Sequence, residues 1–288
     1  MNSTRATVSK ILNYSCVDGP GNRLVVFLQG CNFNCAACHN PHTIGLCNDC
    51  GECVPVCHAG SLSIENGRVR FDPTDCDQCD DCIDVCPINA NPMARQYSVG
   101  EILELIRRHL PFLNGITVSG GEPTMQLKFI IDLFTAVRND PELNNLTCFI
   151  DSNGNLGADG WRKVLPVTDG VMLDIKGFDD SLHTQLTGKS NERSLESARL
   201  VRAAGKLHEL RYLLIPGKTD CAAGLNSLAA FAASLGDDVQ VRLNAFQHHG
   251  VRGDALAWDP MTEARVDSAA ATLRTAGVGN VVTPAVFV

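Results

Sequence analysis

No apolar run in this 288-residue chain approaches the roughly 20 residues that a membrane-crossing helix needs. The longest uncharged stretch beside a helical pattern, 221–236 (CAAGLNSLAAFAASLG), is shorter than that and interrupted by glycine. Residues 1–22 also lack the continuous apolar core of a signal peptide. Positive charge is scarce: 24 Lys and Arg stand against 32 Asp and Glu, a net charge of −8. That balance argues against a nucleic-acid partner and leaves a small molecule or another protein. No long disordered tail is visible, and 44% apolar with 19% charged residues is the composition of a globular protein. The expectation is a cytoplasmic protein with no membrane contact, built as one large domain or as a core with a small insertion.

Cysteine, by contrast, is abundant, with 14 in the chain. Disulfide scaffolds are usually short and secreted, so reduced thiols available to metal are the better reading. Three of them, Cys31, Cys35 and Cys38, fall in CNFNCAACHN directly after the apolar run LVVFLQG. A four-iron cluster held by only three thiolates keeps one iron open to an outside ligand. A zinc knuckle is the alternative, with adjacent His39 as fourth ligand. Four ligands crowded into 31–39, two of them neighbours, suit a tetrahedral site poorly compared with pairs separated by a long loop.

Eight more cysteines lie within 41–93, a segment poor in long apolar runs. Cys47, Cys50, Cys53 and Cys57 form one C-x2-C-x2-C-x3-C run, and Cys76, Cys79, Cys82 and Cys86 form a second, followed by Pro87. In bacterial two-cluster ferredoxins with this spacing, the fourth cysteine of each run ligates the other cluster. On that pattern Cys47, Cys50, Cys53 and Cys86 hold one 4Fe-4S cluster, and Cys57, Cys76, Cys79 and Cys82 hold the second. His58 stands where the pattern has proline. Two four-cysteine zinc sites are the alternative. Cys16, Cys148 and Cys221 read as buried thiols without a role.

Elsewhere, short β-type runs alternate with helix-length amphipathic segments. Strands are expected at 24–28, 116–119, 147–151, 170–174, 209–215 and 239–244, and helices at 99–109, 126–138, 193–204 and 262–276. Repeated βα units imply a parallel sheet, here an α/β fold of partial (β/α)6 barrel type. The division is a core of 1–40 and 94–288, with 41–93 an inserted ferredoxin-like module. Insertions and functional groups of barrels belong on the loops after the strands. The SGGEP turn at 119–123 and the DSNG string at 151–154 occupy such positions.

The three-cysteine string and the Gly-Gly-Glu turn together resemble the signature of the radical SAM enzymes. The resemblance implies that S-adenosylmethionine (SAM) chelates the open iron and is reductively cleaved to methionine and a 5′-deoxyadenosyl radical. Gly120, Gly121 and Glu122 would then meet the methionyl amino group. Further strings narrow the likeness: DGPG at 18–21, QGC at 29–31, CHNP at 38–41, DSNG, MLDIK at 172–176 and RYLLIPG at 211–217 are similar to those of the glycyl-radical-enzyme activating enzymes, such as the pyruvate formate-lyase activase. Activases with a two-cluster insertion, the YjjW type, resemble the chain over nearly its full length.

That family resemblance carries further expectations. It implies three 4Fe-4S clusters, a glycyl radical enzyme as protein substrate, a flavodoxin or ferredoxin as electron donor, and a monomer. It implies a monovalent cation, Na+ or K+, held by Asp151, Ser152, the Met172 carbonyl and Asp174. Lys176 shares a strand face with Asp174 by period-two alternation and would pair with the SAM carboxylate. Arg211 would contact SAM or an incoming peptide. The family's aromatic before the third cysteine is Ala37 here, so adenine packing falls to another residue, Leu213. Gln247 replaces a histidine of the family, with His248 beside it, and neither is assigned a role. Two other functions compete: a radical SAM maturase acting on a Cys or Ser side chain, and a ferredoxin-like electron carrier or redox sensor. The second leaves Cys31, Cys35, Cys38 and the Gly-Gly-Glu turn without use.

Overall fold

The computed structural model describes residues 4–284. The strands along the chain are β1 (Arg5–Ser15), β2 (Arg23–Leu28), β3 (Leu62–Glu65), β4 (Arg68–Phe71), β5 (Arg95–Ser98), β6 (Gly115–Gly120), β7 (Thr147–Ser152), β8 (Gly170–Ile175), β9 (Leu207–Leu214), β10 (Gln240–Ala245) and β11 (Asn280–Val282). The helices are α1 (Asp81–Asp84), α2 (Val99–His109), α3 (Leu127–Asn139), α4 (Ala158–Val164), α5 (Asp180–Thr187), α6 (Glu192–Ala203), α7 (Ala222–Leu235) and α8 (Glu263–Thr275). One sheet runs β11-β10-β9-β8-β7-β6-β2-β1-β5, while β3 and β4 form a separate hairpin. From β2 to β11 every pairing is parallel; β1 is antiparallel to β2, and β5 to β1. The two ends of the row do not pair, so the barrel is partial, as the βα alternation requires.

All six expected strands are present, as β2 and β6 to β10. Their outward residues, among them Leu24, Val26, Ile116, Val118, Ile150, Leu173, Leu210 and Leu243, are buried in the main core. Each such side chain contributes about 1.5–3 kcal/mol when removed from water. Of the helices, α2 begins with a capping box between Ser98 and Glu101. The additional strands β1 and β11, and the helix α7, escape a pattern reading for physical reasons. β1 lies near the sheet's end and is mostly half-buried, β11 has three residues, and α7 is apolar on nearly all faces, which erases amphipathic periodicity.

The inward residues are largely polar. At the N-terminal end of the lumen Arg23 is fully buried. It donates to the Thr117 hydroxyl (2.7 Å), the carbonyls of Pro20, Ile116 and Thr147 (3.0, 2.7 and 2.8 Å) and the Thr147 hydroxyl (2.9 Å). Its guanidinium carbon lies 4.3 Å from the Phe149 ring centroid, and burial pulls its pKa down to about 10. Arg23 thus closes the floor of the lumen and binds β2 to β6 and β7.

Between β2 and β5 the chain makes an excursion containing the β3–β4 hairpin and the single turn α1. It has its own small buried cluster of Cys53, Leu62, Cys82 and Ile83. An isolated antiparallel bridge between Thr43 and Ala90 joins the two ends of the excursion.

Candidate active site

After β2 the backbone is clipped on both sides. The amides of Gly30 and Cys31 donate to the carbonyls of Thr43 (2.8 Å) and Ile44 (3.0 Å), and those of Asn34 and Ala36 to the carbonyls of Thr187 and Leu186 (2.9 Å each) at the end of α5. Phe33 is buried from the middle of the loop and meets His183 edge-on, centroids 5.7 Å apart. Behind Cys38, Gly250 has φ +70°, and a Cβ there would fall 2.0 Å from the His39 carbonyl oxygen, so only glycine fits.

Held this way, Cys31, Cys35 and Cys38 line one cavity of about 510 Å³ at the C-terminal ends of the parallel strands. Burial pushes the Cys31 and Cys35 thiols up to about 12 and raises Cys38 as well, with nearby Lys176 opposing the rise at Cys35 and Cys38. Ligand binding here must therefore expel protons. The three sulfurs do not all lie within 4.8 Å of one another; among the described residues only His58, Asp77 and Cys79 form so tight a group of His, Cys, Asp or Glu ligand atoms. A zinc ion with bonds of about 2.3 Å would need its thiolates closer than that. The spread of soft donors fits a multi-iron cluster instead.

Gly120, Gly121, Asp151, Ser152, Asp174, Lys176, Arg211 and Leu213 line the same cavity, as expected residues brought together from four successive strands. Asp151 Oδ2 accepts from Arg211 Nη1 and from the Ser119 hydroxyl, each at 3.0 Å. Burial pushes its carboxyl up to about 6 against the pull of Arg211. Arg211 also donates to Glu209 Oε1 (2.6 Å), and Met172 Sδ lies 2.9 Å from its Nη2. Burial works against the charge of Arg211, but Asp151 and Glu209 hold its pKa above the usual range. Lys176 Nζ lies 2.6 Å from Asp174 Oδ2. Burial opposes its charge too, yet Asp174 and Cys35 keep it above the ordinary lysine value.

One expectation needs correction. Glu122 does not line the cavity. It is fully buried, with Oε1 accepting from the Thr124 amide (3.0 Å), the Thr124 hydroxyl (2.5 Å) and the Ser152 hydroxyl (2.9 Å), and Oε2 from the Asn153 amide (2.7 Å). Burial raises its pKa, and these bonds resist the rise. Its place is beneath the cavity, tying the β6 loop to the end of β7. The residues expected to hold a monovalent cation are also paired among themselves and their neighbours: Asp151 and Asp174 with Arg211 and Lys176, and the Ser152 hydroxyl with Glu122 and the Gly154 amide.

The apolar wall combines Ala37, Leu186, Leu213 and Ile215, backed by Phe246. Leu213 was legible; Leu186 was not, because it sits in no charged or glycine-rich string, and Ile215, though inside RYLLIPG, drew no attention there. Asn153 also lines the cavity and donates to Asn32 Oδ1 at 2.8 Å, although only its neighbours Asp151 and Ser152 drew attention in DSNG. Gln247 lines the cavity and donates to the Met261 carbonyl (2.9 Å), whereas His248 is exposed and bonded to the Trp258 carbonyl (2.7 Å). Of the three leftover cysteines, Cys148 is buried, but Cys16 and Cys221 are exposed.

The excursion contains two smaller cavities. One is lined by Cys47, Cys50, Cys53 and Cys86, the other by Cys57, Cys76, Cys79 and Cys82. The two cysteine runs are conformational copies. Asp49 and Gln78, Gly51 and Asp80, and Gly60 and Asn89 occupy equivalent positions, and all six have positive φ between 52° and 82°. Asn48 and Asp77 each accept from the amide two residues ahead, at 3.3 Å. Such turns aim successive N–H groups at one point and favour anionic clusters. Among the described residues, neither foursome contains a zinc-tight trio.

A family model described as the Radical SAM superfamily matches residues 25–224. The chain is 32% identical to the isethionate sulfite-lyase activating enzyme of Nitratidesulfovibrio vulgaris, over 92% of this chain and 92% of that protein. It is 30% identical to the pyruvate formate-lyase-activating enzyme of Streptococcus mutans, over 79% of this chain and 72% of that protein. The crystal structure of QueE from Escherichia coli is similar in fold, with a TM-score of 0.53 at 14% identity, covering 97% of this chain and 94% of that one.

Proposed function

This chain belongs to the radical SAM superfamily and, within it, to the glycyl-radical-enzyme activating enzymes, and from that premise we propose that it abstracts hydrogen from a backbone glycine of a partner enzyme. A 4Fe-4S cluster bound with SAM supplies the chemistry, a 5′-deoxyadenosyl radical whose new C–H bond is stronger than that of a glycine α-carbon. Cys31, Cys35 and Cys38 would hold that cluster with one iron free. Gly120 and Gly121 present backbone to the amino end of SAM, Lys176 and Arg211 offer positive charge to its carboxylate, and Ala37, Leu186, Leu213 and Ile215 give the adenine an apolar wall. Glu122 positions the loops that carry these groups. The observation that carries the reading is the sharing of one cavity by three buried thiols, a Gly-Gly turn and two carboxylate-paired cations.

The proposal extends to the excursion 41–93 as a ferredoxin-like module with two further 4Fe-4S clusters, in the cavities described. Its support is the segregation of the eight cysteines into two foursomes. A flavodoxin or ferredoxin would donate the electron, and the protein would act as a monomer. A reducing cytoplasm suits a chain whose 14 cysteines are all free, and no helix among the described residues is long and apolar enough to cross a membrane.

The test is anaerobic incubation with SAM, reductant and candidate glycyl radical enzymes, followed by electron paramagnetic resonance. A glycyl doublet on the partner is expected. Its absence with every candidate, while SAM is still cleaved, would favour the maturase reading.

A further inference from the structure

We propose that the two cysteine cavities of the excursion act in series, the one lined by Cys47, Cys50, Cys53 and Cys86 standing next to the Cys31 loop and the one lined by Cys57, Cys76, Cys79 and Cys82 standing upstream of it. The inference rests on the reading that both cavities hold clusters.

Two short main-chain routes join the first cavity to the Cys31 loop. Cys47 is three residues from Ile44, whose carbonyl accepts the Cys31 amide at 3.0 Å. Cys86 Sγ accepts the Ala90 amide at 3.3 Å. Ala90 bridges to Thr43, which lines the main cavity. The Thr43 carbonyl in turn accepts the Gly30 amide at 2.8 Å, and the Asn89 carbonyl accepts the Gly45 amide at 2.9 Å. Both routes consist of backbone and one thiolate, with no flexible side chain between.

The second cavity has no comparable route. Among the described residues, the hydrogen bonds made by its lining residues stay inside the excursion: the Asp72 amide to the Ser61 carbonyl, His58 to Asp77, and the Cys79 amide to Asp77. Cys82 and Cys53, one from each foursome, are buried in the same apolar cluster with Leu62 and Ile83.

The series carries one electron at a time. A one-electron donor of the flavin or iron–sulfur class would be oxidised at the second cavity, and the electron would pass to the first through the apolar cluster that Cys82 and Cys53 share, and then to the Cys31 site. No bond forms or breaks and no proton moves within the excursion.

The test uses the full-length holoprotein, reconstituted anaerobically, with Cys50→Ala and Cys79→Ala compared by iron content and by microwave power saturation of the reduced signal from the Cys31 site. Spin coupling to that signal should be lost in Cys50→Ala and kept in Cys79→Ala. If alanine variants shed both foursomes of iron, Cys50→Ser and Cys79→Ser mark each cluster by a shifted signal, and the marked cluster coupled to the Cys31 site should be the Cys50 one. The reverse pattern, or no coupling in the unaltered protein, overturns the series. About four irons per chain instead of about 12 in the unaltered protein would overturn the cluster reading itself.

Discussion

Arg211 Nη1 lies 3.0 Å from Asp151 Oδ2, a pair formed between residues 60 apart in sequence and placed at the centre of the cavity wall. Neither side chain is more than 18% exposed. Breaking a buried pair from one side leaves an uncompensated charge and costs about 3–5 kcal/mol. Arg211→Met should therefore destabilise the protein and weaken SAM binding together, with Arg211→Met/Asp151→Asn recovering part of the stability but not the affinity. Anaerobic denaturant unfolding and equilibrium SAM binding would measure the two effects. Equal recovery of both would place Arg211 outside SAM recognition.

Glu122 makes its contribution by holding two loops, so the shape of the side chain matters as well as its charge. Glu122→Ala orphans the buried Ser152 hydroxyl and Asn153 amide, at about 1–3 kcal/mol for each unsatisfied group. Thermal unfolding should show this loss, and Glu122→Gln, which keeps an acceptor oxygen, should lose less. Similar losses from both would mean that the bonds are not what holds the loops.

His183 links α5 to the cysteine loop through Phe33 and bonds by Nδ1 to the Lys189 carbonyl at 2.7 Å. Burial depresses its pKa below the ordinary 6.5, with Lys176 adding to the effect. A base depressed in the folded state contributes stability that is present above 6.5 and lost as pH falls through the lower folded value. Melting of the cluster-free protein should thus fall on acidification below 6.5 more steeply than melting of His183→Gln. Parallel curves would remove His183 from the account.

The buried cluster of the excursion is small: Cys53, Leu62, Cys82 and Ile83. So few apolar groups do little to offset the ordering of a segment this long, and on the proposed reading bound clusters would supply the difference. Hydrogen exchange across 47–86 should be slow in the loaded protein and fast after chelation, while β6 to β9 stay protected in both. Protection that survives chelation would show that the excursion folds without its clusters.

Sequence carried the fold where periodicity is unambiguous. The six central strands were legible because burial on both faces or strict alternation marks them, and Asp174 with Lys176 could be put on one face from spacing alone. The cysteine foursomes were legible as spacing, and each lines a small cavity of its own. What escaped depended on tertiary contacts. Glu122 reads as a ligand in its string, but Ser152 and Asn153, 30 and 31 residues on, claim its oxygens. That Asp151 pairs with Arg211 on a different strand shows only in the fold. Leu186 and Ile215 carry no local signal, since any apolar residue would read the same.

Arg23 has a consequence for timing. With the lumen stoppered at that end, SAM, its spent fragments and the partner's glycine must all use the opening at the strands' C-terminal ends. A partner seated there would cover the same opening that methionine and 5′-deoxyadenosine use, so docking and product release would compete for one mouth.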